Sequence, residues 1–171
     1  MMTRAHHLRL AAAALSLLIF DPHLRSLFAE MRAFCRNLPA ALKGPLPAAL
    51  QSLTPEPAPG SNFSSITNCQ PPTNDPDAIR AVADLAALLD RRSPLGLCLR
   101  RSLARYHFLR RIGVPVVLQF GAKFVAGKPD REVGGHAWLT LNGRPYYEAD
   151  ENRRGFTVMF SFPDSNPDSN S

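Results

Sequence analysis

The chain has 171 residues, of which 45% are apolar and 20% charged, enough for one domain with a single core and too apolar for a wholly disordered chain. A net charge of +6 admits nucleic acid, anionic lipid or an acidic protein, but no aromatic platform or nucleic-acid motif accompanies the basic residues, and nucleic acid is set aside. The cysteines Cys35, Cys69 and Cys98 form no CxxC pair and no His/Cys metal spacing; this speaks against a disulfide framework or zinc module and fits a reducing compartment such as the cytoplasm.

Residues 1–53 read as a helical N-terminal segment. The apolar run Leu8–Phe20 follows Arg4 and is about 13 residues long, short of the roughly 20 that a transmembrane helix needs. It lacks a small-x-small cleavage site, so an amphipathic or buried helix is preferred to a signal peptide. His6, His7 and His23 lie far from the cysteines and read as surface residues. Asp21-Pro22 is a cap followed by proline, after which Leu24, Leu27, Phe28, Met31, Phe34 and Leu38 recur at helical spacing. The echoing strings Leu38-Pro39-Ala40-Ala41-Leu42 and Leu46-Pro47-Ala48-Ala49-Leu50 predict two short helical turns broken by proline. Residues 54–75, rich in proline, serine and asparagine, form a linker or long loop. Cys69 falls there, with nothing beside it to activate a thiolate.

Residues 76–162 carry the chemistry. Asp75-Pro76-Asp77 repeats the capping signal, and Ile79, Val82, Leu85, Leu88 and Leu89 make a helical stripe. A second helix runs from Leu97 to Ile112, with Leu99, Leu103, Tyr106 and Leu109 on one face and Gly113 and Pro115 as its stop. Its arginines, Arg100, Arg101, Arg105, Arg110 and Arg111, read as a solvated face. Beyond Pro115 the period changes to two: Val116–Phe120 is a strand that Ala122–Val125 extends, and His136–Leu141 is another. Asn142-Gly143 is a strong hairpin signal, and Arg144–Ala149 is the returning strand. The tail 163–171 reads as disordered.

Cys98 stands at the start of a helix, where unpaired N–H groups and the dipole favour thiolate. His136 on a strand is the base by elimination, because His107 lies on the cysteine's own helix more than two turns away. A carboxylate behind the histidine completes a triad. With a strict two-residue turn His136 faces Ala149, and Glu148 points away; a three-residue loop or a bulge brings either Glu148 or Asp150 to the histidine. Each residue also has an inert reading, since helix-start cysteines are often buried hydrophobes and strand histidines often structural.

Cys98-Leu99-Arg100-Arg101-Ser102-Leu103-Ala104, Leu109-Arg110-Arg111-Ile112-Gly113-Val114-Pro115, His136-Ala137-Trp138 and Gly143-Arg144-Pro145, in that order, resemble the transglutaminase-like leader peptidases of lasso-peptide biosynthesis, the microcin-processing type, over about residues 76–152. The resemblance implies an α+β transglutaminase-like or papain-like cysteine protease fold, helices packed on a small antiparallel sheet. It matches Cys98 to the nucleophile, His136 to the base and Glu148 to an acidic position that is often aspartate, so Asp150 stays as an alternative. It implies removal of the leader from a precursor peptide, with a separate leader-recognition protein and a separate ATP-using macrolactam cyclase as partners; no bound cofactor is identified from the sequence, and an ATP requirement of the maturation system is left open. Two rivals stand beside it: another acyl-transfer enzyme, such as an amidase or transglutaminase, and an inert module holding a peptide or maturation partner on the basic helix.

Overall fold

The structure, a computed structural model, describes residues 21–55, 73–124 and 133–163. The run Leu8–Phe20, His6, His7, Cys69 with the rest of 56–72, the loop 125–132 and the tail 164–171 lie outside the described residues.

Helix α1 spans Pro22–Ala41, and the Asp21 carboxylate accepts the His23 N–H at 2.8 Å. Its buried stripe of Leu24, Leu27, Met31, Cys35 and Leu38 follows the helical period. Pro39 does not break it as expected; it sits in the last turn, where one lost hydrogen bond is tolerated and the helix ends two residues on. Helix α2 is Leu46–Leu53 and helix α3 is Pro76–Leu89, the latter capped by the Asp75 carboxylate on the Asp77 N–H at 2.9 Å. The predicted stripe of α3 is buried at Ile79, Val82 and Leu85, whereas Leu89 at its end is exposed. Helix α4, Leu97–Arg111, runs through the middle of the helical layer, against α1, α3 and the sheet.

The sheet has strands β1 (Val117–Phe124), β2 (Val133–Leu141), β3 (Arg144–Tyr146) and β4 (Thr157–Phe162), in the order β3-β2-β1-β4 and antiparallel throughout. A four-residue helix, α5 (Asp150–Arg153), and strand β4 occupy a stretch to which the sequence reading gave no element. Leu118 and Leu139 face the helices and join Leu27, Met31, Leu38, Val82, Leu103 and Leu109 in one core. The α+β class implied by the resemblance is the class observed.

The arginines of α4 correct the expectation of a solvated face. Arg100, Arg101 and Arg105 are buried. A helix packed on several sides has little surface to offer water, so each of these charges is met inside the protein. Arg100 donates to the carbonyls of Ala87 (2.7 Å) and Leu95 (3.1 Å), and to that of Asp90, closing the C-terminal end of α3. Arg105 makes a two-pronged pair with Asp84 of α3 at 2.7 and 2.6 Å. Arg111, half-buried, pairs with Glu30 of α1.

Candidate active site

Helix α4 and strand β2 are tied together at the point where chemistry would occur. The Ser102 hydroxyl, one turn beyond Cys98, donates to the Ala137 carbonyl at 2.8 Å and is buried. That bond fixes the register between the cysteine's helix and the histidine's strand, and the Cys98 thiol hydrogen-bonds to His136. The imidazole also meets the acid: His136 Nε2–H donates to Glu148 Oε1 at 3.3 Å. Glu148, whose side chain is 1% exposed, also accepts from Arg101 Nη2 at 3.2 Å and from the Asn152 side chain.

Glu148 reaches the histidine by a route the sequence reading did not contain. The hairpin pairs Leu141 with Arg144, Thr140 with Pro145 and Leu139 with Tyr146, the strict two-residue turn, with Asn142 at φ 51° and Gly143 at φ 74°. Continued to Ala149, that ladder would turn Glu148 away from His136. The strand instead ends at Tyr146, and a kink at Tyr147, at φ 53°, delivers Glu148 to the ring. No bulge or third loop residue is involved. Asp150 begins α5 with its side chain 81% exposed and pairs with Arg153, so the structure brings Glu148, and not Asp150, to His136.

The electrostatics follow from these contacts. The hydrogen bond from His136 pulls the Cys98 thiol below its usual pKa against the effect of burial, and the Ala137 and Leu99 backbone N–H groups pull the same way. Arg100 and Arg101, on the same helix, are engaged by the end of α3 and by Glu148. His136 is pushed up to about 9 by its bonds to Cys98 and Glu148, against desolvation. Burial raises Glu148, but His136, Arg101 and Asn152 together outweigh it and hold the carboxylate below its usual range. The three groups therefore favour thiolate, imidazolium and carboxylate at once.

The imidazole is also walled in. Trp138 stacks on it at 5.7 Å between centroids, and the Phe156 ring lies 5.3 Å away, with the Lys123 ammonium 4.3 Å from the centroid of that ring. Gly121, opposite His136 on β1, leaves room for this cage: a Cβ there would come within 2.7 Å of the Trp138 ring and 3.2 Å of Phe156 Cβ. His107, set aside on the sequence, bonds through Nδ1 to the Leu53 carbonyl at 2.6 Å and stacks on Phe34. Cys35 is fully buried, its thiol pushed up to about 11 by burial and then by the charge of Asp90.

A family model described as the transglutaminase-like superfamily matches residues 57–161, more than half of the chain. The chain belongs to that superfamily. No curated protein and no solved structure matches it. The superfamily fold is one of cysteine peptidases and acyl-transferases, consistent with a helix-start cysteine set against a strand-borne histidine. Among the described residues no helix is long and apolar enough to cross a membrane.

The sequence reading missed Arg101, Ser102, Tyr147, Asn152 and Phe156. For the first two a signal existed: Cys98, Arg101, Ser102 and Arg105 fall at i, i+3, i+4 and i+7, so a helix that presents Cys98 to a site presents the others along the same stripe. For Tyr147 no local signal exists, since tyrosine has no preference for a positive φ.

Proposed function

We propose that this chain is a cysteine peptidase that removes the leader from a lasso-peptide precursor, with Cys98 as nucleophile, His136 as general base and acid, and Glu148 as the acid that orients it. The observation that carries the reading is the hydrogen-bonded row Cys98–His136–Glu148 lying within the ordered motifs that resemble leader peptidases. In this reading the Cys98 thiolate attacks the carbonyl joining leader to core, and imidazolium His136 protonates the departing core amine. Water, deprotonated by His136, then attacks the leader thioester and releases its carboxylate. The products are a leader acid and a core with a free N-terminal amine, the group a separate macrolactam-forming cyclase would need. Glu148 keeps the ring oriented and stabilises its charged form.

The rival of an inert module with a basic docking helix is weakened by the burial of Arg100, Arg101 and Arg105. The rival of a different acyl transfer on the same scaffold is answered by the product. A candidate precursor is incubated with the protein and a separate leader-recognition protein, with a primary amine present, and followed by mass spectrometry. Hydrolysis into leader acid and free core, lost by at least about 10³-fold in Cys98→Ala, is the expected result, as is acceleration by the recognition protein. An amine-adducted leader would favour a transglutaminase, and undiminished cleavage by folded Cys98→Ala would remove the proposed nucleophile.

A further inference from the structure

Glu148 meets His136 because Tyr147 turns the chain through a left-handed conformation that an L side chain disfavours, so something outside the hairpin must hold it there. The holding group lies on α4. Arg105 is locked by Asp84 through Nε and Nη2, at 2.7 and 2.6 Å, and its remaining nitrogen, Nη1, donates to the Tyr147 carbonyl at 3.4 Å. Both charged side chains are buried, at 5% and 9% exposure, so little water competes for that carbonyl. The Tyr147 ring is held separately: the Arg80 guanidinium lies 4.5 Å from its centroid, and Tyr146 packs at 4.3 Å.

We infer that Arg105, fixed in place by Asp84, is a positioning residue for the acid, holding the Tyr147 carbonyl so that the left-handed turn delivers Glu148 to His136. Arg105 stands seven residues beyond Cys98, two turns along one face of α4. One rigid helix thus carries the thiol directly and sets the acid at second hand. The same helix sends Arg101 to Glu148, so the acid is referenced to α4 both through its side chain and through the backbone before it. This inference deepens the proposed role of the Cys98–His136–Glu148 row and rests on it, but not on the identity of the substrate.

The test is therefore free of substrate. In the full chain, Asp84→Leu with Arg105→Met removes the buried pair together, avoiding the stranded charge that either single change would leave. The His136 imidazole is titrated by NMR and Cys98 alkylation is timed at pH 6; the other ionisable groups around the ring, Cys98, Glu148 and the nearby Lys123, are unaltered. The expected result in the folded double variant is a His136 pKa lower by about one unit and alkylation about tenfold slower. An unchanged His136 titration in that folded variant overturns the inference. Should it fail to fold, Tyr147→Val and Tyr147→Gly decide: both lose the ring and its contacts, but only valine resists a positive φ. A His136 pKa about one unit lower in the valine variant than in the glycine variant is expected, and equal values overturn it. Failure of the peptidase reading would appear as absent precursor cleavage with these shifts intact.

Discussion

Helices α3 and α4 lie side by side and begin in opposite ways. Helix α3 starts under a carboxylate, the Asp75 side chain on the Asp77 N–H, with Thr73 Oγ1 accepting the Asp75 N–H in turn. Helix α4 starts at Gly96, which offers no side-chain cap, and the negative group placed in its first turn is the sulfur of Cys98. The positive end of a helix stabilises an anion in either case. In α3 that anion is the carboxylate of a capping side chain. In α4 no side chain caps the first turn, and the group placed there is a thiol whose anionic form the helix start favours.

The contrast can be broken most severely at the acid that supports the thiolate pair. Glu148→Gln keeps the shape of the side chain but removes the charge facing His136, and should lower activity by about 10²-fold or more while pulling the His136 pKa down from about 9. Asp150→Asn, at an exposed carboxylate, should change activity by less than about twofold. The reverse order of effects would hand the orienting role to Asp150.

A smaller change would give α4 the start that α3 has. Gly96 has φ −58°, and a Cβ there would lie 3.8 Å from Cys98 Sγ, so Gly96→Asp fits without strain. Its carboxylate would satisfy first-turn N–H groups and repel the thiolate, raising the Cys98 pKa. Thiolate accumulates as pH rises through that pKa, so the wild-type alkylation rate should rise at a pH below the usual thiol range, and in Gly96→Asp the rise should move to higher pH. At pH 6 the variant should alkylate about tenfold more slowly, read by mass spectrometry with the buried Cys35 as the slow internal standard. An unshifted profile would mean that His136 and the Ala137 N–H set the thiol and the helix start contributes nothing.

The smallest expected effect is at the other helix. Asp75→Ala should cost about 1 kcal/mol of stability in denaturant titrations and leave Cys98 alkylation within about twofold. A larger effect on the thiol than on stability would show that the two helix starts are coupled rather than independent.

What the sequence disclosed divides along the same line between local and distant causes. The cap-plus-proline signals at Asp21 and Asp75, the helix from Leu97, the Asn142-Gly143 turn and the positions of Cys98 and His136 were all legible, because each is written in a few adjacent residues. The buried arginines were misread because composition and periodicity carry no information about how many sides of a helix are covered. Strand β4 was passed over although Thr157–Phe162 is rich in aromatic and β-branched residues, the usual strand composition. The choice between Glu148 and Asp150 could not be made from hairpin parity, because the deciding event is a kink at Tyr147 contacted from α3 and α4 by residues more than 40 positions earlier in the chain.

The cage around His136 has an optical consequence. Trp138 is the one tryptophan of the chain, it is 3% exposed, and its indole is stacked on the imidazole. A protonated imidazole quenches indole emission more strongly than a neutral one, so the intrinsic fluorescence of the unmodified protein should report the charge of the histidine without any label. Loading, acylation or loss of the sulfur would each alter that charge, which makes the fold its own indicator dye for the state of the site.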